Sequence, residues 1–83
     1  MPVHTDVITV LRKCGMTQNQ ANSFANQHSF GNLNDVMFFR PEMAKEMIKT
    51  FNNGRQLNQK MGALHEIKLE AFIYWVRELE SRQ

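Results

Sequence analysis

Cys14 and the three histidines, His4, His28 and His65, are the side chains of this sequence that suggest nucleophilic or zinc chemistry. A cysteine nucleophile needs a thiolate with a base beside it, and a zinc site needs paired ligands at short spacing. Neither pattern is present. The histidines fall on three separate segments with no carboxylate at ligand spacing, and one cysteine makes no zinc signature. Cys14 follows Val7, Val10 and Leu11 at helical spacing, so it reads as a small core residue. His28 reads as a helix-terminal residue favoured by the helix dipole. The expectation is a chain that is not an enzyme, with no catalytic residue, metal, cofactor or small-molecule substrate.

The other chemistry in reach is phosphate binding. Lys45 and Lys49 are four residues apart, and if they share a helix face, the following loop brings Arg55 and Lys60 beside them. Against a dedicated site, the formal charge is only +2, and Glu42 and Glu46 are placed to pair with those lysines. A Gly-hydrophobic-Gly hairpin and an aromatic ladder for single strands are both absent. Nucleic-acid binding through Lys45, Lys49, Arg55 and Lys60 stands as the alternative reading, weak and nonspecific in character.

The elements that must position these groups read as helices throughout. A first helix spans residues 6–13, with Thr5 as N-cap and Arg12 and Lys13 before Gly15. Thr17 and Gln20 form a capping-box pattern opening a second helix, which carries Ala21, Phe24 and Ala25 inward and ends near residue 27 or 28. Asn32 or Ser29 caps a short third helix reaching Met37, anchored by Phe30, Leu33, Val36 and Met37. Pro41 opens the fourth, whose inner face is Met43, Met47, Ile48 and Phe51, and Asn52-Asn53-Gly54 ends it. Residues 54–62 form a polar loop that Leu57 and Met61 pin to the core. The fifth and longest helix covers about residues 63–80. Leu64, Ile67, Ala71, Trp75 and Leu79 form its stripe, and Leu69, Phe72 and Val76 widen it. A helix apolar around most of its circumference touches several neighbours, or holds its own domain on one side and a partner on the other.

Four short helices and a long terminal one within 83 residues suit a single small interaction domain. The segments Leu11-Arg12-Lys13-Cys14-Gly15-Met16-Thr17, Ala21-Asn22-Ser23-Phe24 and Phe30-Gly31-Asn32-Leu33-Asn34-Asp35-Val36 resemble the opening of a sterile alpha motif (SAM) domain. The run from Lys68-Leu69-Glu70 through Tyr74-Trp75-Val76-Arg77 is similar to the close of SAM-like domains in gag-like retroelement and virus-type reading frames. The resemblance spans nearly the whole chain and implies a five-helix SAM-like bundle that associates with itself or with another protein. It carries one surface onto Arg55, Lys60, Gly62, His65 and Lys68, near the start of the last helix. The second surface falls on residues 26–35, where Asp35 is the single acid among Asn and Gln. A charge-matched polymer finds little support in that composition, which leaves a hydrogen-bonded amide contact.

Adjacent aromatic pairs add two more candidates. Phe38-Phe39 and Tyr74-Trp75 cannot each bury both rings on one face. Two arrangements are open: Trp75 and one Phe in the core with the neighbour half exposed, or Phe39 or Tyr74 outward as a partner anchor. With Trp75 central, Trp75→Ala costs about 3–5 kcal/mol. The longest apolar run, Ala71 to Val76, is six residues, so no membrane span is expected. The opening Met1-Pro2-Val3-His4-Thr5-Asp6 is polar and mixed, unlike a secretory leader. With a single cysteine, an intracellular or virion-interior location is expected.

Overall fold

The computed structural model describes the backbone of residues 3–81 and the side chains from Val7 onward, Glu80 excepted. The described residues are all α-helical in class: α1 (Val3–Lys13), α2 (Gln18–Gln27), α3 (Leu33–Val36), α4 (Ala44–Asn52) and α5 (Ala63–Ser81). Two short 3-10 turns, Pro41–Met43 and Leu57–Gln59, lead into α4 and α5 respectively. Helix α1 packs on α2 and α3, while α5 lies across α4, α3 and the Pro41–Met43 turn.

Local chemistry sets the boundaries. Thr17 Oγ1 accepts the Gln20 N–H at 3.1 Å and Gln20 Oε1 accepts the Thr17 N–H at 2.9 Å, the reciprocal cap expected at the start of α2. Asn32 and Asp35 repeat that arrangement on α3. Helix α1 ends at Gly15, whose φ of +96° gives the left-handed turn that returns the Met16 N–H to the Leu11 carbonyl. Helix α4 closes in a type II turn: Asn53 has φ −61° and ψ 122°, Gly54 has φ +80°, and the Arg55 N–H donates to the Asn52 carbonyl. The start of α1 differs from expectation. It begins at Val3, so Thr5 lies inside the helix and does not cap it.

The core joins Val7, Ile8, Leu11 and Cys14 of α1 to Phe24, Phe30, Phe51, Met61, Leu69, Phe72, Ile73 and Val76. Phe24 is its aromatic centre, with the Phe30 and Phe51 rings 5.9 and 6.0 Å away. Met61 is pinned as expected, because Asn52 donates to its carbonyl and accepts its N–H, both at 2.8 Å. Gln20 Nε2 ties the same loop by donating to the Gln59 carbonyl at 2.9 Å. With these two side chains holding the loop, Leu57 is not needed as a pin and is 87% exposed. Met43 is also outward, because the 3-10 turn shifts the register and places Ala44 inward in its stead.

The largest correction falls on α5. Its buried residues are Leu69, Phe72, Ile73 and Val76. The stripe read as the core, Leu64, Ile67, Ala71, Trp75 and Leu79, faces water. Both stripes have helical spacing, and α4 and α3 pack on only one of them. Trp75 is 50% exposed, so it is not the centre of the bundle and the cost of 3–5 kcal/mol does not apply to it.

Candidate interaction surface

At about 100° per residue, the two apolar stripes of α5 sit on different sides of the helix. Leu69, Phe72, Ile73 and Val76 fill a sector of about 100°, and Leu64, Ile67, Ala71 and Trp75 fill another of about 80° whose centre lies about 150° away. Leu64 and Ile67 are 61% and 62% exposed, and Tyr74 beside them is 62% exposed. Lys68 borders this outer face and Glu78 continues its line one turn beyond Tyr74 and Trp75, and both are exposed. Single exposed apolar residues are ordinary on a protein surface; a contiguous row along three turns of one helix is not.

The Phe38-Phe39 pair resolves the other way from the anchor reading. Phe39 is half-buried, its ring edge-on to Phe30 at 4.8 Å, and Phe38 is the outward ring at 78% exposure. Arg77 fixes this turn by donating to the Met37 and Phe39 carbonyls at 2.8 and 3.1 Å. Tyr74, in contrast, is outward as the anchor reading requires.

Several residues carried over from the SAM resemblance are engaged within the chain itself. Asp35 accepts the N–H groups of Gly31 and Asn32 at 2.8 and 3.1 Å, so its carboxylate is a helix cap. Arg55 lays its guanidinium 3.8 Å over the Phe51 ring and donates from Nε to the Phe51 carbonyl at 2.7 Å. His65 accepts the Gly62 N–H at Nδ1 and donates from Nε2 to the Gly15 carbonyl at 3.0 Å, locking the start of α5 to the end of α1. Lys60 and Lys68 are exposed.

Of the phosphate candidates, Lys45, Lys49 and Lys60 line one open groove between α4 and the start of α5, together with Glu46 and Glu66. Arg55 is outside that lining. The groove's charge is therefore three lysines against two carboxylates.

The titratable groups of the interior are held by the fold. Burial pushes the Cys14 thiol above its ordinary value, with nearby Lys68 pulling the other way, so the thiolate is disfavoured. Burial lowers His28, opposed by its contact with the Met47 carbonyl, so the half-buried ring is not the dipole-stabilised cation expected from its position. Its Nε2 donates to that carbonyl at 3.3 Å, and the ring packs 4.6 Å from Phe24. Among the described residues, no group of three or more His, Cys, Asp or Glu is placed to hold a metal ion. No described helix is long and apolar enough to cross a membrane.

The outer face of α5 could have been found from the sequence by its two apolar stripes, since a small domain has only enough neighbours to cover one. Phe38 had no such signal, because its turn is held by Arg77 of α5, far along the chain, through the Met37 and Phe39 carbonyls. Comparison of the chain with protein-family models, curated proteins and solved structures gives no match.

Proposed function

We propose that this chain is a non-catalytic association module whose contact surface is the outer face of α5. The observation that carries the reading is the exposed row Leu64, Ile67, Ala71, Tyr74 and Trp75 on a helix whose opposite side is already buried. Apolar side chains left in water gain about 25 cal/mol for each Å2 that a partner removes, and aromatic residues at the centre of a contact carry most of the energy. A non-enzymatic role is supported by the buried, hard-to-ionise Cys14 and by His28 and His65 being spent on backbone contacts. The five-helix order with a long closing helix supports the SAM-like assignment. The retroelement-type relation and intracellular setting rest on residue pattern alone. Within that family reading, the outer face of α5 takes over the contact role that the resemblance assigned to Asp35, Arg55 and His65.

Trp75 is the only tryptophan, so its emission reports on this face directly. Light scattering and fluorescence across a concentration series, with and without duplex DNA, form the test. The expected result is a rise in mass accompanied by a blue shift of Trp75. A rise in mass with the emission unchanged would overturn the α5 surface.

The grouping of Lys45, Lys49 and Lys60 in one groove favours a second reading, phosphate-backbone binding. Three contacts give a log–log salt slope of about −2 to −3. A monomeric chain that binds duplex DNA at physiological salt, and loses it in Lys45→Glu/Lys49→Glu/Lys60→Glu, would put this reading first.

A further inference from the structure

Resting on the α5 reading above, we infer that the occupant of the outer face is a second copy of this chain, paired antiparallel through α5 about a two-fold axis near Ile73. In an antiparallel pair, residues equally distant from the axis on either side oppose one another. With the axis at position 73, two oppositions appear in the same register. Ala71 meets Trp75 of the second copy, small against large. Lys68 meets Glu78 of the second copy, positive against negative. Two-fold symmetry repeats each opposition.

These residues are all exposed in the single chain. Ala71 lies near the middle of the row, where a short side chain lets two helix axes approach to about 8–10 Å and leaves a hole for the opposing indole. Parallel in-register pairing would instead set Lys68 beside Lys68 and Glu78 beside Glu78, with Trp75 against its own copy, so the charge pattern selects the antiparallel arrangement.

Area bounds the strength of this pairing. From their fractional exposures, Leu64, Ile67, Tyr74 and Trp75 leave on the order of 550 Å2 in water per copy, so two copies together bury at most about 1,100 Å2, just under the roughly 1,200 Å2 at which standard specific interfaces begin. That points to a reversible dimer and not an obligate one.

Sedimentation equilibrium on the full chain, with far-UV circular dichroism to confirm folding, tests the register. Lys68→Glu alone and Glu78→Lys alone should each raise the dimer dissociation constant about tenfold by placing like charges together at both ends. The exchanged double variant Lys68→Glu/Glu78→Lys should return to within about threefold of the wild type, as opposite charges meet again. Ala71→Arg, which fills the central hole with a charge, should leave a folded monomer. A dimer lost in Ala71→Arg but indifferent to the charge exchange would overturn the register while the α5 surface stands. A wild type monomeric throughout the series would overturn the second copy as occupant, with the surface still open to another protein. A dimer unaffected by Ala71→Arg would overturn both, since association would then run through a different face.

Discussion

Helices α2 and α5 invert what their compositions suggest. Helix α2 is Gln-Asn-Gln-Ala-Asn-Ser-Phe-Ala-Asn-Gln, a sequence of amides that looks like solvated surface. Yet Gln20 within it is buried, caps its own helix and holds the Gln59 loop. His28 at its end is bound to the Met47 carbonyl. Helix α5 is the more apolar of the two and looks like the central helix of the core, yet one whole stripe of it is in water. Polar groups that find partners at the right distance become structure, and apolar groups without neighbours remain available for binding.

The largest expected effect separates the two sides of α5. Ile73 is fully buried, and Ile73→Ala should cost about 2–5 kcal/mol, enough to unfold much of a domain this size. Trp75→Ala removes the larger side chain but should lower monomer stability by less, about 1–2 kcal/mol, because half of the residue is already exposed. Denaturant unfolding at a concentration below dimerisation gives both numbers. A Trp75→Ala loss equal to that of Ile73→Ala would erase the distinction between the faces.

That distinction also marks how far the sequence was legible. Helix positions followed from local signals: Thr17/Gln20, Asn32, Pro41 and Gly54 all act within a few residues of where they stand, and the structure uses each at a helix end. The face of α5 turned inward was not local. Leu64, Ile67, Ala71 and Trp75 keep helical spacing as faithfully as Leu69, Phe72 and Val76, so periodicity identified the helix, and taking the first set as its core stripe and the second as a widening of it reversed their order. The ranking depends on where α4 and the Pro41–Met43 turn lie, a long-range fact. Charged candidates misled for a related reason. Asp35 and Arg55 were read by charge, but the nearest unsatisfied partners were a helix N-terminus and the Phe51 ring in their own neighbourhood.

A sharper test of the amide helix comes from Gln20. Gln20→Ala removes the partner of the Thr17 N–H and releases the Gln59 carbonyl together, and should cost about 1–3 kcal/mol, as expected when partly buried groups lose their bonds. Asn19 beside it is exposed, and Asn19→Ala should change stability by no more than about 0.5 kcal/mol. Thermal melts of the two variants compare them directly. Equal melting temperatures would return α2 to an ordinary solvated surface.

The smallest effect is set by pH and isolates the other end of α2. In the unfolded chain His28 takes up a proton below about pH 6.5. In the folded chain burial holds its pKa lower, so over the interval between the two values the unfolded state binds more protons. Stability is therefore full above about pH 6.5 and falls as pH drops toward the folded value. Protonation would also place a charge beside the Phe24 ring, 4.6 Å away, in a half-buried site. His28→Gln removes the titration and keeps a side-chain N–H able to reach the Met47 carbonyl. The wild type should lose stability relative to this variant as pH falls below about 6.5, with the two curves parallel above that value. Every other titratable group is present in both proteins, so the difference isolates position 28. Curves that stay parallel down to pH 5.5 would show that His28 titrates as freely when folded as when unfolded, and that this end of α2 is not part of the interior.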